Sequence, residues 1–281
     1  MIPQRNLALL SNRLARGGGR RIPEAVLERD YCLAWFLVAL SRAPLKERLA
    51  FKGGTALKRC YFGDYRFSED LDFTLIEDTP FDEIRRELEP VLAEAGRAAG
   101  VAIRFAHDDP QPHHNSHTFF LSYEGPLPAT TRPKEAKVDI TKREEIVFPL
   151  ESRKVLRAYE EYTDLPEDAE IVAYSLEEIA AEKVVALLDS ARNEPRDLYD
   201  LWFLTSFGHV QLVDVTHAVE KKWRFRNRPA PDARKLYAAK EARYKKLWEV
   251  RLSAQMAELP GFGEVFRVVR RALREAGIIA K

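Results

Sequence analysis

Between Pro23 and Ser41 apolar residues recur at intervals of three and four, through IPEAVLERD and YCLAWFLVAL, and predict a buried helix. The next apolar stretch, RLAFKGG (48–54), is short, ends in two glycines and predicts a strand. A helix is expected from Thr55 to Tyr61. In FSEDLDFTL (67–75), Phe67, Leu71, Phe73 and Leu75 hold the odd positions, which is the period of a strand. Ser68, Asp70 and Asp72 then project from the opposite face. FDEIRRELEPVLAEAGRAAG (81–100) returns to helical spacing and stops on Gly100. VAIRFAH, HTFFLSYE and EAKVDIT read as three further strands. Beyond Ser175 every periodic segment is helical: SLEEIAAEKVVALLDSA, PRDLYDLWFL, QLVDVTHAVEKKW, a long stretch from Asp232 to Leu252, and GEVFRVVRRALREAG. The expected class is therefore α+β, with a mixed-sheet core over residues 1–172 and a C-terminal helical bundle over 173–281.

Composition narrows the functional classes. A chain of 281 residues, 46% hydrophobic and 32% charged, can bury a full core and has the balance of a soluble globular protein. The run Tyr31–Leu40 is too short to span a bilayer. The polar N-terminus, with ARGGGRR, carries no secretory signal, and the two cysteines, Cys32 and Cys60, form neither a disulfide framework nor a zinc pattern. A reducing cytoplasm is the expected compartment. The net charge of +1 conceals a local excess, because residues 221–251 hold twelve basic residues against three acids.

The chemistry begins with Asp70 and Asp72. Two carboxylates side by side repel, and a cation between them relieves the cost. Upstream, FKGGTALKRCYF places Gly53, Gly54 and Thr55 where a strand gives way to a helix. Glycines let a backbone approach a phosphate closely, although the same residues serve equally as an ordinary turn. A phosphate seat followed by a D-x-D strand suits Mg²⁺, which prefers one or two carboxylates plus substrate phosphate oxygens. Asp139, a lone acid between Val138 and Ile140, is either a solvent-facing strand residue or a third metal ligand and base.

FKGGTALKRCYFGDYRFSEDLDFTL resembles the signature of the nucleotidyltransferase AbiEii toxin family, and SLEEIAAEKVVALLDSARNEPRDLYDLWFL resembles its second signature, a helical E-K followed by R-D-x-x-D. The matching stretches run from about Phe51 to Leu204; no family motif is recognised in the last seventy or so residues. The resemblance implies a minimal nucleotidyltransferase core of polymerase β type and a MenT-like effector of a type IV toxin–antitoxin system. It further implies an NTP substrate, Mg²⁺ (or Mn²⁺) as cofactor, an RNA acceptor such as the 3′ end of tRNA, and a cognate antitoxin. Asp70, Asp72 and Asp139 would be the metal ligands. Gly53, Gly54, Thr55, Arg66, Ser68 and Lys183 would bind nucleotide, and Lys183 and Asp197 would join the three acids in catalysis.

The residues themselves leave some of these roles open. Lys183 falls on the apolar seam of its helix, from which it either snorkels to water or reaches a triphosphate. Asp197, just after Pro195, also suits a helix dipole, and Asp200 one turn on can anchor Arg192, Arg196 or Lys183. Ser68 either binds phosphate or caps the strand entrance. The histidines of AHDDPQPHHNSHTFF lack a cysteine and sit among prolines, so a solvated loop is favoured over a zinc site. Trp223, Phe225, Tyr237, Tyr244 and Trp248, interleaved with the basic residues of 221–251, suit stacking on RNA or, equally, an amphipathic helix with its aromatics in the core. Two other functions stay open: a nucleotidyltransferase that modifies a protein or small molecule, and an inactive RNA- or nucleotide-binding module.

Overall fold

The computed structural model describes residues 1–16, 19–111, 113–226 and 232–280. The chain forms two compact units. The first holds residues 1–143, 150–173 and 254–257; the second holds 144–149, 174–253 and 258–281.

The first unit is built on a mixed sheet. In chain order its elements are α1 (Gln4–Ala15), α2 (Glu24–Ser41), β1 (Leu49–Lys52), α3 (Gly53–Ala56), β2 (Leu71–Leu75), α4 (Phe81–Ala99), β3 (Ala102–Asp108), β4 (Ser116–Glu124), β5 (Lys134–Thr141), β6 (Leu150–Lys154) and β7 (Glu170–Tyr174). The strand order is β3-β4-β5-β2-β1-β7-β6. β1 and β2 pair antiparallel, β2 and β5 parallel, and β1 runs parallel to β7 through Phe51 and Ala173. Phe51, Leu71, Phe73, Val138 and Ile140 are all buried, and they form the apolar side of the central strands. From Tyr31 to Leu40 the helix α2 is apolar around its whole circumference, and every residue of that stretch is accordingly buried. α4 ends where Gly100 takes φ 69°, a left-handed conformation that costs glycine little.

Three elements are not among those expected. α1 buries Leu7, Leu10 and Ser11 at helical spacing, β6 (LESRK) has one apolar residue, and β7 is too short to show a period. The predicted Thr55–Tyr61 helix starts two residues early, at Gly53, and runs on as a π-helical turn over Leu57–Tyr61.

The second unit contains α5 (Leu176–Leu187), α6 (Pro195–Ser206), α7 (Leu212–Phe225), α8 (Ala233–Leu252) and α9 (Phe262–Glu275). Ser175 caps α5 by accepting from Glu178 N–H, and Asp232 caps α8 by accepting from Lys235 N–H. α5 packs on α6 and α7, while α9 packs on α6 and α8. Among the described residues no helix is long and apolar enough to cross a membrane.

Candidate active site

β2 and β5 bring together acids that are 67 positions apart in sequence. Their parallel register sets Asp72 opposite Asp139, and β1 sets Lys52 opposite Asp72. Adjacent strands lie about 4.8 Å apart, so the two carboxylates are neighbours. Both are half-buried, within reach of solvent. Lys137 and Thr141 flank Asp139 at two-residue spacing and share its face. Lys137 Nζ lies 3.5 Å from Asp139 Oδ2, the Thr118 hydroxyl approaches the same oxygen at 3.4 Å, and Lys52 Nζ donates to Thr141 Oγ1 at 3.1 Å.

The two glycines are fitted against this pair and its approach. Gly53 has φ 78°, and a Cβ there would lie 2.5 Å from Asp72 Oδ2. A Cβ on Gly54 would lie 2.6 Å from Arg66 Nη2 and 3.3 Å from Ser68 Oγ. The turn is therefore tied to the side chains the motif names, beyond what a plain strand-to-helix turn requires. The Thr55 hydroxyl donates to the Asp70 carbonyl and fastens the segment leading into β2. That strand begins at Leu71, so Asp70 sits just before it, and strand alternation does not fix its side chain on the face of Asp72. Arg66 is buried; its Nη1 donates to Gln255 Oε1 at 3.0 Å and to the Phe67 carbonyl at 3.3 Å. Phe67 N–H in turn donates to the Gln255 carbonyl at 2.7 Å. Gln255 is thus a supporting residue the sequence did not reveal: it lies 189 positions from Arg66 in a stretch without periodicity.

In the second unit Lys183 is held from two sides. Its Nζ lies 2.8 Å from Asp197 Oδ1 and 2.6 Å from Asp200 Oδ2. Asp197 and Asp200 are three apart on α6, hence on one face. Arg192 Nε approaches the other Asp197 oxygen at 2.6 Å. Burial pushes the Asp197 carboxyl up, but Lys183 and Arg192 outweigh it and hold it below its ordinary value. Lys183 does not snorkel; it is buried and ion-paired.

A family model, "Nucleotidyl transferase AbiEii toxin, Type IV TA system", matches residues 35–274. The chain belongs to that family. It is a nucleotidyltransferase toxin of a toxin–antitoxin system. The fold agrees with solved structures. MenT4, a nucleotidyltransferase toxin from Mycobacterium tuberculosis H37Rv, is similar with TM-score 0.61 and 18% identity, over 97% of this chain and 90% of that one. JHP933 from Helicobacter pylori gives TM-score 0.55 and 17% identity over 91% and 93% of the two chains. A putative nucleotidyltransferase from H. pylori gives 0.54 and 18% over 91% and 96%. No curated relative matches the sequence.

Of the residues singled out for an AbiEii site, Gly53, Gly54, Thr55, Arg66, Ser68, Asp70, Asp72 and Asp139 are linked by the contacts above within the first unit, while Lys183 and Asp197 pair in the second. Among the described residues no three His, Cys, Asp or Glu side chains form a ready-made metal cage. The adjacent Asp72 and Asp139 instead fit a metal that arrives with a triphosphate and draws its remaining ligands from phosphate and water. The histidines form no metal cluster among the described residues either. His107 stacks on Phe120, His117 stacks on Phe81, and Pro112 lies outside the described residues.

In the basic aromatic segment burial distinguishes between the two readings left open by the sequence. Tyr237, Tyr244 and Trp248 are buried and unavailable for stacking on RNA. The Tyr237 hydroxyl donates to the Phe266 carbonyl at 2.7 Å and Trp248 Nε1 to the Pro260 carbonyl at 2.9 Å. Lys222 is also sealed: its Nζ lies 2.6 Å from Glu178, 3.6 Å from Glu144 and 3.9 Å from Glu182, and donates to the Glu145 carbonyl at 2.6 Å. Arg226 pairs with Glu144 at 2.8 Å. The interleaving arises because α8 turns its aromatic stripe inward, with Lys240 on it donating to the Asp189 carbonyl, while most of its lysines and arginines face outward. Arg228, from the same segment, lies outside the described residues.

Proposed function

We propose that this nucleotidyltransferase moves a nucleotidyl group from an NTP to the 3′-terminal hydroxyl of RNA, with tRNA as the acceptor, and thereby blocks translation in the cytoplasm until a cognate antitoxin opposes it. The observation that carries the chemistry is the Asp72–Asp139 pair, in register and reachable, with Gly53 fitted against Asp72. The backbone at Gly53, Gly54 and Thr55 seats phosphate oxygens, since neither glycine has a side chain to block their approach. Arg66, fixed by Gln255, and Ser68 orient the same phosphates. Asp72 and Asp139, with Asp70 at the strand approach, would hold Mg²⁺ or Mn²⁺, whose chemistry when bound is to neutralise the triphosphate and the departing pyrophosphate.

The acceptor oxygen attacks the α-phosphorus in line, and the bond from that phosphorus to the bridging oxygen breaks. Asp139 takes the hydroxyl proton, and pyrophosphate leaves with the bonding electrons. The family resemblance adds Lys183, whose charge suits the leaving pyrophosphate; Asp197 and Asp200 fix its ammonium group. The RNA acceptor rests on that resemblance, since three of the five interleaved aromatics, Tyr237, Tyr244 and Trp248, are buried while Trp223 is half-buried and Phe225 exposed.

Incubation with total RNA, Mg²⁺ and each labelled NTP in turn tests the reading. Label is expected on RNA, removable by a 3′-exonuclease. Label on protein or on a small molecule would replace the RNA acceptor, and no pyrophosphate release with any NTP would remove the activity.

A further inference from the structure

We infer that the outer face of α9 is a phosphate-tracking surface for RNA. Its inner face is fixed by burial of Val265, Phe266, Val269 and Leu273. The opposite face carries Arg267, Arg270, Arg271 and Arg274, all exposed. These positions follow i, i+3, i+4, i+7, so the four guanidinium groups form one stripe about 10 Å long.

Like charges three and four apart destabilise a helix unless something neutralises them. Several other exposed arginines have carboxylates beside them, as Arg42 has Glu94, Arg104 has Glu124, Arg157 has Glu167 and Arg224 has Glu220. None of the four on α9 has a hydrogen bond or ion pair to a carboxylate among the described residues. They line a surface hollow of about 460 Å³ together with Glu275 alone.

The chemistry of that hollow selects its occupant. Protein interfaces centre on buried aromatic or aliphatic anchors, and here the lining offers none. Guanidinium groups at helical spacing suit a succession of phosphates, each bound through a fork of two N–H donors. The occupant follows from the RNA-acceptor reading above, and the stripe names the surface that holds the acceptor's backbone.

The test is filter binding of the full chain and of R267Q/R270Q/R271Q/R274Q to a labelled RNA across a salt series. Both proteins are first compared by circular dichroism and thermal unfolding, where the variant should melt no lower because repulsion has been removed. The slope of log affinity against log salt should flatten by about 0.7 for each phosphate that the variant no longer binds, close to three in all. Single replacements should each produce part of that change. An unchanged slope and affinity would overturn the assignment. So would an unchanged RNA slope combined with lost retention on polyglutamate, which would point to an acidic protein partner. Binding needs no turnover: a wild-type protein that labels no RNA removes the acceptor reading, and the salt slope alone judges the α9 face.

Discussion

Two groups of charges in this protein are built in opposite ways. Asp72 and Asp139 are like charges set side by side on neighbouring strands, half-buried and reachable, with a glycine fitted against one of them. Around Lys222, by contrast, Glu178, Glu144 and Glu182 surround a lysine of 0% exposure, and Arg226 pairs with Glu144 from the side. Burial alone lowers a lysine's proton affinity, yet the surrounding glutamates outweigh it and raise that of Lys222. The first group, with Lys137 beside Asp139 and Lys52 opposite Asp72, stays within reach of solvent; the second is sealed around its cation. Access separates chemistry from architecture.

Breaking the first group should have the largest effect. Asp72→Ala removes one of the adjacent carboxylates and should lower nucleotide transfer by about a thousandfold, the scale of removing a principal electrostatic group at a reaction centre. Its thermal midpoint should stay near that of the parent, since the side chain is not in the apolar core. Substantial transfer by this variant, still dependent on Mg²⁺, would move the reaction centre elsewhere.

Breaking the second group should cost stability instead. Lys222→Met leaves the buried Glu178 without its cation and Glu144 with Arg226, and loss of about 3–5 kcal/mol is expected in denaturant unfolding. Transfer per folded molecule should be unchanged. Replacing Glu178 by Gln in the same chain should recover only part of the loss, because Glu178 also accepts from the N–H groups of Val147 and Phe148. Parental stability combined with weakened RNA binding would return Lys222 to an RNA-contacting role.

Much of this was legible in the sequence. Period-two and period-3.6 patterns marked β2, β4, β5 and the helices from α4 onward, and the Gly-Gly, D-x-D and R-D-x-x-D spacings pointed to the residues that the fold links. The illegible parts share a physical cause. β6 and β7 are held by tertiary pairing and are too short to show a period of their own. Gln255 and the acids around Lys222 depend on contacts between residues far apart in the chain, which no local window contains. The interleaved aromatics of α8 left two readings open because core packing and RNA stacking both produce aromatics spaced among basic residues; burial distinguishes them.

The smallest expected effect contrasts Lys222 with another fully buried lysine. Lys58 donates to the carbonyls of Gly63 and Tyr65 and to the Tyr159 hydroxyl, all neutral acceptors. Burial dominates there and lowers its pKa to about 8. Below that value both folded and unfolded chains carry the proton, and the folded state bears the cost of enclosing the charge. Between about pH 8 and the ordinary lysine value near 10.4, the unfolded chain binds more protons than the folded one, so stability contributed by this residue rises with pH. Relative to Lys58→Met, the parent should therefore gain about 1 kcal/mol between pH 8 and pH 9 in denaturant unfolding. Lys222, raised instead of lowered, should show no such gain against Lys222→Met over the same interval, because it stays protonated in both states until higher pH. A flat difference for Lys58 would mean that its three neutral acceptors hold the ammonium as well as the glutamates hold that of Lys222.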